Sequence, residues 1–173
     1  MRLFIAVQLD DRIKNVLTVA QDSLRQNKIR GNYTDMQNLH LTLAFIGEYG
    51  NADRILEAME QVHFESFQLS PDGSIGSFGD LLWTGLEQSQ YLENLTRQLR
   101  RSLSDYHIPF DKKKFHPHIT LLRKAEFEQG RYSGISSVSI SRAEMTVREI
   151  SLMRSERGKN GMIYSEIGSI VSE

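Results

Sequence analysis

The sequence predicts an α+β fold of two lobes, with two mostly antiparallel sheets, helices outside them and a central cleft. Three observations carry that expectation. Strand-like and helix-like stretches follow the order β-α-β-α-β-β-α-β-β-β-β along the 173 residues, as in an α+β protein with mostly antiparallel pairing. In each half a helix of good periodicity precedes a strand bearing the tetrapeptide His-hydrophobic-Thr-hydrophobic, His40-Leu41-Thr42-Leu43 and then His118-Ile119-Thr120-Leu121. The two histidines lie 78 positions apart, close to half the chain, and no linker or low-complexity segment divides the halves. Residues 1–173 are therefore expected to form a single bilobal domain.

The elements follow in order. The apolar run from Arg2 to Leu9 is too short for a secretory signal, is followed at once by Asp10 and Asp11, and has no small-residue cleavage site. It fits a first core strand. Asp10 or Asp11 caps a helix running to about Asn27, with Ile13, Val16, Leu17, Ala20 and Leu24 on one face. The first motif strand spans Asn38 to Gly47. Asn51 opens a shorter helix that carries Ile55, Leu56, Met59 and Val62 at helical spacing. Phe64 to Ser77 alternates partially and is broken by the turn signal Pro71-Asp72-Gly73. Leu81 to Leu86 is the next strand. Ser89 starts a third helix, with Leu92, Leu95, Leu99 and Leu103 in register, ending before Pro109. The second motif strand spans Phe115 to Arg123. Further strands are expected near Ser137 to Val147, Glu149 to Ser155 and Met162 to Ser169, with Gly158-Lys159-Asn160-Gly161 as a hairpin signal between the last two.

Composition narrows the function classes. With 39% hydrophobic and 25% charged residues the chain is that of an ordinary soluble protein. A net charge of −1 gives no global field toward nucleic acid or membrane, so any polyanion site must be a local patch. The absence of Cys excludes disulfides, thiolate metal sites and a cysteine nucleophile, and fits a cytoplasmic home. No run has the length of a membrane helix, and no membrane partner is expected.

The repeated tetrapeptide carries the chemistry. Side chains alternate along a strand, so His40 and Thr42 share one face while Leu41 and Leu43 take the other, and His118 and Thr120 do the same. With 5 His and 7 Thr, two His-x-Thr pairs arise by chance in roughly 2% of such chains. A histidine pair can hold one neutral base and one protonated acid near neutral pH. That pair suits displacement at phosphorus, with the threonine hydroxyls binding non-bridging oxygens. Lys112, Lys113 and Lys114 precede the second motif, and Arg123 and Lys124 follow it. In a regular strand Arg123 points away from Thr120, and it needs a bulge or the strand end to reach the phosphate.

Plainer readings stand beside these. A lone buried histidine is most often a satisfied core residue, and a lysine run is usually a solvated loop. His116-Pro117-His118 with His40 offers three zinc ligands as an alternative, but it leaves the paired threonines unexplained. The expectation is no metal and no cofactor. His63 and His107 carry no motif and read as surface or structural.

At these residues the chain resembles the two-histidine phosphoesterase superfamily, and within it the RNA 2′,3′-cyclic phosphodiesterases also called 2′-5′ RNA ligases. Met1-Arg2-Leu3-Phe4-Ile5-Ala6 is similar to the family's opening strand. Asn38-Leu39-His40-Leu41-Thr42-Leu43-Ala44-Phe45-Ile46-Gly47 and Phe115-His116-Pro117-His118-Ile119-Thr120-Leu121-Leu122-Arg123 are similar to its two HxTx motifs with their flanks. Leu82-Trp83-Thr84-Gly85-Leu86 and Leu152-Met153-Arg154-Ser155-Glu156 resemble its intervening and C-terminal strands. One departure is Leu122, where some relatives carry a small residue.

The resemblance implies two lobes about a pseudo-twofold axis and metal-free hydrolysis of a ribose 2′,3′-cyclic phosphate to a 2′-phosphate. It implies His40 as proton donor to the leaving O3′ and His118 as proton acceptor from water. Thr42, Thr120 and Arg123 would bind the phosphate, and Phe4 and Tyr164 are candidates for a base or ribose wall. The expected partners are RNA ends such as those of tRNA fragments, met by a monomer. A small cyclic nucleotide as substrate, or a module that binds RNA ends without turnover, are the alternatives.

Overall fold

The computed structural model describes residues 1–127 and 133–173. In chain order the elements are β1 (Arg2–Gln8), α1 (Asp11–Gln26), β2 (Arg30–Tyr33), β3 (His40–Glu48), α2 (Ala52–Glu60), β4 (Phe67–Leu69), β5 (Pro71–Phe78), β6 (Leu81–Leu86) and α3 (Gln90–Asp105). They continue with β7 (His118–Glu126), the single turn α4 (Ser133–Ser136), β8 (Met145–Val147), β9 (Glu149–Gly158) and β10 (Gly161–Val171). The strands form one sheet in the order β10-β9-β1-β3, a second in the order β2-β7-β6-β5, and a small β4-β8 pair. Each pairing among the described residues is antiparallel. The expected α+β class with two main antiparallel sheets is what the chain forms.

The helices start where the sequence placed their caps. Asp10, Asn51 and Ser89 accept hydrogen bonds from the backbone N–H of Ile13 (3.0 Å), Arg54 (3.2 Å) and Leu92 (3.2 Å), each satisfying a first-turn donor that has no helical partner. Helices α1 and α3 also end alike, on a left-handed residue: Lys28 (φ 62°) and His107 (φ 57°). Behind them Ile29 N–H donates to Leu24 O at 3.1 Å and Ile108 N–H to Leu103 O at 2.9 Å, the Schellman arrangement.

From each ending the chain crosses to the other half's motif strand. After α1, β2 pairs with β7; after α3, Asp111 N–H donates to Phe45 O of β3 at 2.8 Å. This exchange repeats the same path in both halves and sets the motif strands side by side. Their undersides are core: Leu41, Leu43, Ile119 and Leu121 are at most 1% exposed. They join the apolar faces of α1 (Ile13, Leu17, Leu24) and α3 (Leu95, Leu99, Leu103) in one contiguous cluster spanning both sheets. Each such side chain contributes about 1.5–3 kcal/mol by burial, which holds the two upper faces in fixed relation.

The structure differs from the expectation in four places. Strand β2 was not foreseen, because Arg30-Gly31-Asn32-Tyr33 has no alternation. It forms because β7 offers it an edge, and a Cβ on Gly31 would lie 2.8 Å from the Arg123 carbonyl oxygen, so only glycine allows that approach. The Phe64-to-Ser77 stretch divides into β4 and β5, which serve different sheets. Pro71-Asp72-Gly73 is not a turn between strands but a register slip inside edge strand β5, where Asp72 Oδ1 accepts from Ser74 N–H at 2.8 Å. Of the expected strand from Ser137 to Val147 only β8 pairs, while Val138, Ile140 and Ala143 bury their side chains without a ladder. Among the described residues no helix is long and apolar enough to cross a membrane.

Candidate active site

His40 and His118 are the first residues of β3 and β7. A short 3-10 turn, Met36–Asn38, leads into the first, and Pro117, with no N–H to give a ladder, precedes the second. His40 Nδ1 lies 2.6 Å from the Asn38 carbonyl oxygen, and His118 Nδ1 lies 2.6 Å from that of His116. A carbonyl only accepts, so each Nδ1 carries the hydrogen and each neutral ring keeps its lone pair on Nε2. At His40 the Thr42 hydroxyl donates to that Nε2 across 2.9 Å. The two imidazoles are therefore held in the same tautomer by the same device.

Both motif strands then bulge at the same place. Ile5 pairs with Ala44 but Ala6 with Thr42, leaving Leu43 unpaired; Leu82 pairs with Leu122 but Trp83 with Thr120, leaving Leu121 unpaired. An extra residue inverts the alternation beyond it. Ala44 and Leu122 are consequently buried, and Phe45 and Arg123 turn to the exposed face that His and Thr occupy. This is the bulge that Arg123 needed. It also seats Leu122, the departure noted in the motif, in the core at 0% exposure.

Aromatic side chains wall each histidine. The His40 ring lies 4.9 Å from Phe4 and 5.3 Å from Tyr164, centroid to centroid. The His118 ring lies 5.3 Å from Phe78 and 6.0 Å from Trp83. Burial pulls the proton affinity of both imidazoles below the ordinary value of 6.5, against the opposing effect of the Nδ1–carbonyl bonds. The Arg123 guanidinium pushes both the same way; His118 adds to this at His40, and His116 at His118. One cation thus acts on both rings.

Arg123 shares a cavity of about 1130 Å³ with His40, Thr42 and Phe45. His118 and Thr120 stand outside its lining, Thr120 opposite Trp83 across the β6–β7 ladder. The structure so brings His40, Thr42 and Arg123 into one cavity and couples His118 to them electrostatically. Of the three histidines in the zinc alternative, His118 has Nδ1 on the His116 carbonyl, and the His116 and His118 rings are 6.0 Å apart. Among the described residues no three His, Cys, Asp or Glu groups converge on a metal-sized site. His63 pairs with Glu173 at 2.7 Å, and His107 ends α3, both away from this cleft.

The sequence profile of the 2′-5′ RNA ligase superfamily matches residues 11–159. The chain belongs to this superfamily. Similar curated proteins include the RNA 2′,3′-cyclic phosphodiesterase of Thermotoga maritima, 28% identical over 174 residues, 95% of this chain and 91% of that one. The protein of the same name from Archaeoglobus fulgidus is 29% identical over 176 residues, 96% of this chain and 98% of its own. Among solved structures, Escherichia coli LigT complexed with 3′-AMP aligns with a TM-score of 0.82 at 24% identity, covering 99% of this chain and 96% of LigT. That likeness bears on the fold, which is the superfamily's.

Four residues of this superfamily member were not picked out from the sequence as site residues. Asn38 is buried, its amide donating to Met162 O at 2.9 Å while its carbonyl orients His40. A polar residue two places before each motif histidine was the only hint. Phe78 had no motif to mark it, and Trp83 stood only within the family-like segment Leu82-Trp83-Thr84-Gly85-Leu86. Phe45 did have a signal: Leu43-Ala44 and Leu121-Leu122 are adjacent apolar pairs that break strict alternation just before Phe45 and Arg123.

Proposed function

We propose that the protein hydrolyses the terminal 2′,3′-cyclic phosphate of RNA to a 2′-phosphate, without a metal, with His40 as proton donor and His118 as proton acceptor. The observation that carries this is the pair of imidazoles with Nδ1 anchored on a carbonyl, so that the lone pair lies on Nε2, and one guanidinium that acts on both. The two relatives' name, RNA 2′,3′-cyclic phosphodiesterase, supports it.

His118 Nε2 takes a proton from water as the water oxygen attacks phosphorus. The P–O3′ bond breaks on the opposite side, and protonated His40 gives its Nε2 proton to O3′. Thr42, Thr120 and Arg123 bind the non-bridging oxygens, whose charge grows in the transition state. In the free protein burial disfavours the cationic form of His40; a bound phosphate anion restores it. The division of roles is supported by the surroundings: His40 sits beneath Phe4 and Tyr164, while the hydrogen bond of His118 is exposed, where water enters. The proposed partners are cyclic-phosphate ends such as those of tRNA fragments, handled by a cytoplasmic monomer.

The test is incubation with an RNA ending in 2′,3′-cyclic phosphate in the presence of EDTA, with the product resolved by chromatography. A 2′-phosphate is expected. Loss of turnover in EDTA would overturn the metal-free route, a 3′-phosphate would reverse the leaving group, and binding without turnover would make the protein an end-binding module.

A further inference from the structure

Resting on that function, we infer that the cleft binds a second nucleotide behind the cyclic one, its base stacked on the Arg2–Phe45 pair and its phosphate held by Arg157. Four observations lead there. The cavity, about 1130 Å³, exceeds the roughly 300–1,000 Å³ of sites built for one small molecule. Phe45 is 36% exposed between buried Ala44 and Ile46, turned into the cleft by the Leu43 bulge. In the repeated frame it holds the place that Arg123 holds on β7, so a base-sized apolar surface stands where the other half presents its phosphate cation.

The Arg2 guanidinium lies over the Phe45 ring at 5.1 Å. Its ladder neighbour Glu48 does not engage it but pairs with the Met1 amino group at 3.2 Å. The outer face of the guanidinium is thus a flat cationic plane, the surface on which unpaired bases stack.

The charges lining the cavity fit the same ligand. Arg2, Arg123, Lys124, Arg154 and Arg157 face Asp35, Glu48 and Glu156 there. Arg154 is paired with Glu156 at 2.5 Å, whereas Arg2, Arg123, Lys124 and Arg157 have no carboxylate partner among the described residues. Arg157 stands two residues past Ser155, the ladder partner of Arg2, and so on the same face. The chemistry at one cyclic phosphate uses Arg123 and leaves Arg2, Lys124 and Arg157 without a task. Cations spaced beside an aromatic platform form the pattern that tracks a single-stranded backbone.

The experiment compares kcat/KM for a nucleoside 2′,3′-cyclic phosphate with that for a dinucleotide carrying the same end. At least a tenfold preference for the dinucleotide is expected, the scale of one stacked base. Arg2→Gln and Phe45→Leu should each cut that preference at least fivefold. Arg157→Gln should make the logarithmic salt dependence of dinucleotide KM shallower by about 0.7, one single-strand phosphate contact. Arg2 and Arg157 are exposed, so their substitution leaves the core intact. Equal use of both substrates, or a preference and salt slope unmoved by all three variants, would overturn this inference while turnover of the mononucleotide upheld the function. Turnover of neither substrate would remove both.

Discussion

Arg123→Gln is the substitution on which the proposed site depends most. The guanidinium reaches the cleft only through the Leu121 bulge, has no carboxylate partner among the described residues, and lowers the proton affinity of both histidines. Removing it has two separable effects. The phosphate oxygens lose one preorganised cationic donor, which costs about 10²–10³ in kcat, or about 3–4 kcal/mol of transition-state stabilisation. Both imidazoles also lose a repelling positive charge, so both titrate at higher pH. In kcat/KM for a cyclic-phosphate RNA the acid limb follows His118, which must be neutral to accept a proton. The alkaline limb follows His40, which must be protonated to donate one. For the native protein both limbs lie below the ordinary imidazole value of 6.5, and for Arg123→Gln both move upward. Arg123→Lys keeps the charge but not the planar fork, so it should lose rate with little movement of the limbs. A slow Arg123→Gln enzyme with an unmoved profile would refute the effect of this cation on both rings; an unimpaired one would refute its role.

His40→Ala and His118→Ala should each lower kcat by about 10²–10⁴ with the fold intact by circular dichroism. The double variant should be little worse than either single one, and activity within tenfold of native in either single variant contradicts the mechanism. Stability should depend on pH in a defined direction. The folded histidines bind protons less readily than the unfolded chain, so stability is full above about pH 6.5 and falls as pH drops from there toward the lower folded value. Urea midpoints should show this slope for the native protein and a flatter one for His40→Gln. Gly76→Ala puts a Cβ 2.4 Å from the Trp83 ring. Such overpacking costs about 1–3 kcal/mol, or about 2–4 °C of Tm per kcal/mol at this size; an unchanged Tm would mean that Trp83 does not lie on Gly76.

Local rules placed most of the frame correctly. Caps at Asp10, Asn51 and Ser89 and the leucine spacing of α1 and α3 are short-range signals, and each was legible. So was the shared face of His40 and Thr42, since two residues along a strand restore the same side. What failed was whatever depends on a partner. Arg30-Gly31-Asn32-Tyr33 becomes a strand only because β7 lies beside it, while the apolar residues Val138 and Ile140 are buried outside any ladder. The bulges belong to the same class. Strict alternation sends Arg123 away from the face of His118 and Thr120; one unpaired leucine brings it back, and the neighbouring strand decides that a leucine goes unpaired.

The two halves share a frame and differ in what hangs on it, and the difference matters to the chemistry. Each histidine is oriented by a carbonyl two residues back, each motif bulges one residue after its threonine, and each supporting helix ends on a left-handed residue. A frame so repeated gives two imidazoles of the same tautomer, which is not enough for a reaction that needs one proton given and one taken. The inequivalence lies at matching positions. Asn38 is buried and fastened to β10, whereas His116 is exposed and lowers the proton affinity of His118. Phe45 holds on β3 the place that Arg123 holds on β7, so the two halves set an aromatic ring and a guanidinium at matching positions. The His40 ring lies against Phe4 and Tyr164, and the His118 ring against Phe78, Trp83 and His116. The likeness of the two imidazoles comes from the repeat, and the proposed division into acid and base draws on the positions where the repeat is broken.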